Sequence, residues 1–351
     1  MTRSPRMLPV NLPAPTAPPA ASDAGAATVP GSRFWLCLVA ALLAAAWFAG
    51  TALAQEGVVK DEEEEIPPPK NLTLRTADNV VLHCTYYGSI EGPKAAPVII
   101  IHGWGGQRLA YDGLALQLQE AGHAVIVPDL RGHGGSKIRR HLEATKDEDL
   151  DPERFGQRDM EAMYVFDLEA VKWFLYKENN AGKLNLDALC VIGADEGTVI
   201  ALNWINYDWS QEISPYESHK SAHWAKACVL ISPHSNCKGL ATTQPLRNPV
   251  IQTGMNMLIV VGEKDRSSLG IAARMNSSLE RLRARRPKTD PNLFFLRMPT
   301  TLQGVDLLGK PGLNLGAKIR GFINLRLMQK MDEYFPWRER QASIPSWFNV
   351  Q

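Results

Sequence analysis

From residue 71 onward, short apolar runs alternate with stretches of helical period, and this alternation constrains the fold more than any other feature of the chain. The run PVIIIHGW (97–104) is apolar at successive positions, as a strand buried on both faces must be. A helical stretch from Leu109 to Gly122 follows, and AVIVPDLRGHGGS (124–136) supplies the next strand and loop. Residues 167–177 place Leu168, Val171, Phe174 and Leu175 on one helical face behind Asp167 as a candidate cap, and DALCVIGADEG (187–197) returns to a strand. Further strands are expected in AKACVLISP (225–233), MNMLIVVGEKD (255–265) and NLFFLRMP (292–299), with helices over 267–284 and 316–335. Upstream, residues 71–88 read as an antiparallel hairpin turning at Asp78-Asn79. The pattern predicts an α/β fold of about eight mostly parallel strands with helices on both faces. It occupies one domain, residues 71–340, followed by a C-terminal tail, 341–351. Too few residues separate Pro233 from Met255 for a large cap domain, so any lid is small and drawn from 136–160.

The chain before residue 71 has a different character. Residues 1–32 hold seven of the 24 prolines and no apolar periodicity, which reads as a disordered n-region. The segment 33–54 contains the uncharged run FWLCLVAALLAAAWFAGTALA and ends in Ala52-Leu53-Ala54. Two readings of it stand: an export signal cleaved after Ala54, and an uncleaved membrane anchor. Either way the domain is exported, to a periplasmic or extracellular location. Residues 55–70 are an acidic, Pro-containing linker of stiff, extended chain. With 38 basic and 37 acidic residues, the chain shows no nucleic-acid signal, and membrane contact is expected only through residues 34–54. Cys84, Cys190 and Cys228 lie in strand-like runs, and with Cys237 they read as buried free thiols, with one bridge as the alternative. No Cys/His cluster has zinc-ligand spacing, so neither a metal nor a cofactor is expected.

One motif carries chemistry. Gly193-Ala194-Asp195-Glu196-Gly197 follows an apolar strand and precedes a helical stretch, and its glycines let neighbouring backbones approach a strained turn. Together with IIIHGWGG (99–106) and DLRGHGGS (129–136), in that order along the chain, it resembles the α/β-hydrolase fold superfamily. The resemblance implies a nucleophile at position 195 and an oxyanion hole built from the backbone N–H groups of Trp104 and Glu196. It also implies an acid after the penultimate strand, matched by Asp265 in Gly262-Glu263-Lys264-Asp265, and a histidine in the loop after the last strand. His102-Gly103 and Arg131-Gly132-His133-Gly134 are read as loop-fixing residues.

Position 195 holds aspartate, which cannot act as a serine nucleophile. Epoxide-hydrolase-like and haloalkane-dehalogenase-like relatives attack alkyl carbon with such a carboxylate, but they need a histidine to release the ester. All eight histidines precede residue 235, and Gln303 in TTLQGVDLL stands where the resemblance places that histidine. Glutamine cannot relay a proton at neutral pH. Asp265 is then left to cap the helix near Ser267. His133 and His234 are the candidates for a relocated base, and Trp104, Arg108 and residues 234–250 for a pocket holding a small-molecule ligand. Three hypotheses follow: a catalytically impaired hydrolase-fold protein that binds a ligand or partner, a working hydrolase of esters, epoxides or halides that uses Asp195, and a cell-envelope interaction protein.

Overall fold

The computed structural model describes residues 65–141, 146–211, 222–284, 290–340 and 344–350. The stretches 1–32 and 33–54, and the linker up to residue 64, lie outside them. Among the described residues no helix is long and apolar enough to cross a membrane.

Eight strands form one sheet: β1 (Lys70–Arg75), β2 (Val81–Tyr87), β3 (Pro97–Ile101), β4 (Ala124–Pro128), β5 (Leu189–Ala194), β6 (Ala225–Ile231), β7 (Asn256–Gly262) and β8 (Leu293–Met298). Their spatial order is β1-β2-β4-β3-β5-β6-β7-β8. The first two pair as an antiparallel hairpin, β2 runs antiparallel to β4, and β3 to β8 are mutually parallel. The continuous apolar runs have their physical reason here: β3, β5 and β7 are buried at every position because helices cover both faces. On one face Ile99, Ile101, Val191 and Ile259 pack under α3 (Leu168–Asn180) and α4 (Gly197–Ser210). On the other, Val98, Ile100, Ile192 and Val260 meet Leu114 and Leu118 of α1 (Asp112–Gln119) and Ile319 and Ile323 of α6 (Leu315–Arg326).

Two local readings change. Asp167 does not cap a helix start, because α2 (Gln157–Ala162) runs through a π-helical turn, Met163–Asp167, directly into α3. The Asp167 carboxylate instead accepts the backbone N–H of Arg131 at 2.9 Å and its guanidinium at 3.0 and 2.7 Å. The expected helix over 316–335 breaks after Arg326, and a 3-10 turn (Met328–Lys330) precedes a last short helix, Met331–Tyr334. That break lets Leu327 and Met331 both enter the core. Between β6 and β7 there is only a small ribbon, Asn236–Cys237 with Leu240–Ala241, and helical turns, so no large cap is present. Within 136–160 the described residues form a second ribbon, Ile138–Arg139 with Glu148–Asp149, a 3-10 turn and the start of α2. Cys84, Cys190, Cys228 and Cys237 are free and buried.

The loop after β4 is fixed by Arg131, which is buried and paired with both Asp167 and Asp78, at 2.7 Å each. Arg131→Met strands the buried Asp167 carboxylate, and urea denaturation should show a loss of about 3–5 kcal/mol. A loss below about 1 kcal/mol, the ordinary effect of a point mutation, would contradict this account of the loop.

Candidate functional site

β5 ends at Ala194 and the chain turns at once into α4, which leaves Asp195 at φ +49°. A side chain pays about 1–2 kcal/mol for this left-handed backbone, so the surroundings must impose it. They do so on both sides of the peptide: the Asp195 N–H donates to Ile231 O at 2.9 Å, and Asp195 O accepts from Thr198 N at 3.0 Å and Thr198 Oγ1 at 2.6 Å. The flanking glycines are sterically required. A Cβ on Gly193 would lie 2.7 Å from Gly197 O, and one on Gly197 would lie 2.5 Å from the carbonyl oxygens of Ile101 and His102. The turn thereby packs onto the end of β3 and brings Trp104 beside Glu196.

Asp195, Asp265 and Gln303 come together at the carboxyl ends of β5, β7 and β8. The Asp195 carboxylate packs against Gly304, where a Cβ would collide with it, and the Gly304 N–H donates to Ser232 Oγ at 2.9 Å. Asp265 does not meet Gln303 directly. Ser267 Oγ stands between them, 2.7 Å from Asp265 Oδ1 and 2.7 Å from Gln303 Oε1. Asp265 Oδ1 also accepts the amides of Ser267 at 2.9 Å and Ser268 at 3.2 Å, so it caps the turn that leads into α5 (Leu269–Arg283). Its Oδ2, where the acid of a triad would receive the imidazole N–H, is buried without a partner.

The charges in this cluster are nearly all of one sign. Burial, and then the negative neighbours Glu196, Asp265 and Asp306, push the Asp195 carboxyl up to about 7. Asp195 Oδ1 is buried and has no hydrogen-bond partner. Burial raises Asp265 too, but the hydroxyls and amides of Ser267 and Ser268 outweigh it and hold that group below the usual carboxylate range.

One of the two expected oxyanion donors is engaged. The Trp104 N–H donates to Glu196 Oε2 at 3.0 Å, so the carboxylate that fills this position belongs to Glu196 and not to Asp195. From sequence, Glu196 was expected to contribute its backbone amide, and Ser267 only the start of the helix that Asp265 caps. The only sequence signal for Ser267 was a hydroxyl two residues after the acid.

His102 is fixed at both ring nitrogens, with Nδ1–H donating to Gly103 O at 2.7 Å and Nε2 accepting from Leu130 N at 3.0 Å. Burial lowers its pKa to about 4, so it stays a neutral, structural ring. His133 Nδ1–H donates to Arg131 O at 2.9 Å, while its Nε2 is buried without a partner. His234 Nδ1 lies 3.5 Å from Glu196 Oε1. Trp104 and, from the 234–250 segment, Cys237 line a small cavity beside the elbow. Arg108 does not: its guanidinium is turned onto Asp129 and Thr85.

The raised Asp195 carboxyl has a consequence for stability. A group that is easier to protonate in the fold contributes stability in full below its ordinary value of 3.8, and that stability is lost as pH rises toward about 7. Asp195→Asn removes the titration, so the melting temperature of the variant relative to the native protein should climb between these two pH values and level off above them. A constant difference across that window would show that Asp195 ionises normally.

No curated protein matches the sequence. Among solved structures, one from a study of two esterases of the fungus Rhizomucor miehei is similar over 88% of this chain and 95% of that one, with 14% identity and a TM-score of 0.51. Carboxyl esterase 2 of the mycorrhizal fungus Tuber melanosporum is similar over 78% of this chain and 90% of that one, with 18% identity and a TM-score of 0.50. At these identities the likeness speaks to the fold. Residues 96–302, which run from the start of β3 into the loop bearing Gln303, match the family described as alpha/beta hydrolase fold, and the chain belongs to that family.

Proposed function

We propose that this chain is an exported α/β-hydrolase-fold protein that binds a small ligand at the elbow and does not hydrolyse esters. One contact carries this reading: the Trp104 N–H, one of the two donors that would stabilise a developing oxyanion, is satisfied by the Glu196 carboxylate. A tetrahedral intermediate would have to displace an anion already seated on that donor. The rest of the site agrees in its chemistry. Asp195 has no hydroxyl to deprotonate, titrates at about 7 and is a poor nucleophile when protonated. Gln303 offers no proton relay. Export rests on the apolar segment ending at Ala54.

A second reading, a working hydrolase with Asp195 as nucleophile, is favoured by one observation, the bare Nε2 of the buried His133. Against it stands the Asp195 carboxyl, which faces Gly304 and is partly protonated near neutrality.

Hydrolysis of p-nitrophenyl acetate tests the assignment. The native protein should match buffer, and the double variant Asp195→Ser, Gln303→His should stay close to it because Glu196 still occupies the Trp104 amide. Adding Glu196→Ala should raise the rate above the double variant by about 100-fold, the usual worth of one oxyanion donor. Native turnover that disappears in Asp195→Asn would establish the second reading and refute the first.

A further inference from the structure

The cavity beside the elbow has room for one water-sized group, about 10 Å³, and nearly all of its surface is apolar. A larger ligand reaches it only if a wall moves, and most of the walls are fixed. Leu130 stands in the loop that buried Arg131 ties to Asp78 and Asp167. Met160 and Met163 belong to α2 and its π-helical turn, and Ile200 to α4. The exception is Cys237, from the ribbon of Asn236–Cys237 with Leu240–Ala241. The base of this ribbon is well tied: the His234 N–H donates to Thr198 Oγ1 at 3.1 Å, the Thr242 N–H to Ser235 O at 3.0 Å, and Asn203 Nδ2 to Ala241 O at 3.2 Å. Its tip is held differently. Among the described residues, 237–240 make one hydrogen bond beyond the ribbon, a weak one from the Cys237 thiol to Met160 Sδ at 3.6 Å.

The tip turns through Lys238 at φ +47° and Gly239 at φ +92°, a two-residue turn with both positions left-handed. Asn or Gly suits the first position best, and a lysine there costs conformational energy that its own backbone does not recover. The compensation lies in its ammonium, 4.9 Å from the centroid of the Trp104 ring, a cation–π contact between the tip and the loop after β3. We propose that the ribbon 236–241 is a lid over the elbow, that it opens about its tied base to admit the ligand, and that Lys238 on Trp104 is its latch. Of the tip only Cys237 and Leu240 are buried, so opening uncovers two apolar side chains and breaks no backbone hydrogen bond to the rest of the described chain. The segment 136–160, where the sequence placed a lid, supplies the ledge it closes against: a Cβ on Gly239 would sit 3.3 Å from Gln157 Cβ, and Met160 lies against Cys237. The inference rests on the reading of the elbow as a binding site and supplies its gate.

Alkylation of the full chain by iodoacetamide, followed thiol by thiol in peptide maps, tests this because Cys237 is itself part of the lid. In the native protein Cys237 should be labelled about tenfold faster or more than Cys84, Cys190 and Cys228, which lie fully buried in β2, β5 and β6. Lys238→Met should raise the Cys237 rate about two- to fivefold, the worth of an exposed cation–π contact, and leave the other three unchanged. Loss of the neighbouring positive charge would by itself slow the reaction, since Lys238 favours the Cys237 thiolate, so a faster rate comes from the lid. Lys238→Arg, which keeps the contact, should label at the native rate. Cys237 as inert as the three strand thiols would show that the ribbon opens only on unfolding and overturn the lid. An unchanged or slower rate in Lys238→Met, or a rise shared by all four thiols, would overturn the latch. If a variant fails to fold, the comparison of the four thiols in the native protein still decides. Labelling needs neither ligand nor turnover, so its failure leaves the binding reading standing, whereas ester turnover defeats that reading and not the lid.

Discussion

The close approach of two backbones, Gly197 against the carbonyl oxygens of Ile101 and His102, is the constraint on which the rest of the site depends. A Cβ there would lie inside contact distance, so only glycine allows α4 to begin directly over the end of β3. Once that approach is made, Asp195 is forced into a left-handed conformation, and Glu196 is placed where its side chain reaches the Trp104 amide. The scaffold thus retains the sharp turn and the amide of a hydrolase elbow and fills both with acids.

The two acids fill different places. Asp195 turns toward the loop after β8 and packs against Gly304, beside the position of the expected histidine, while Glu196 takes the Trp104 donor. Burial first, and then the charges of Glu196, Asp265 and Asp306, push the Asp195 carboxyl to about 7. Asp265 escapes because Ser267 and Ser268 solvate it locally. One carboxyl is held low and the other high, the kind of split that acid–base enzymes exploit, but among the described residues no imidazole stands between them to use it.

Much of the fold was legible because its signals are local. Fully buried strands must be apolar at every position, and β3, β5 and β7 are. The elbow was legible because its glycines answer a steric requirement of the turn itself. Asp167 was misread because a capping residue and a buried counter-ion look alike in sequence, and only the folded chain puts Arg131 beside it. The same holds for Arg108, whose partners Asp129 and Thr85 are distant in the chain. That Glu196 would satisfy Trp104, 92 residues away, depends on which rotamer the packed elbow permits, and no spacing rule encodes that. The bridging role of Ser267 was not legible for a related reason, because a hydroxyl near an acid is common and the bridge depends on where Gln303 comes to rest.

The contact between Glu196 and Trp104 is the centre of this account, and the backbone amide of Trp104 reports on it directly. In a ¹H–¹⁵N spectrum, an amide that donates to a carboxylate resonates downfield and exchanges slowly with solvent. Glu196→Ala should move the Trp104 resonance upfield and speed its exchange, with little change along the neighbouring strand β3. A Trp104 amide that exchanges rapidly in the native protein and ignores the loss of Glu196 would mean that the hole stands open, contradicting the assignment of this elbow to binding instead of hydrolysis.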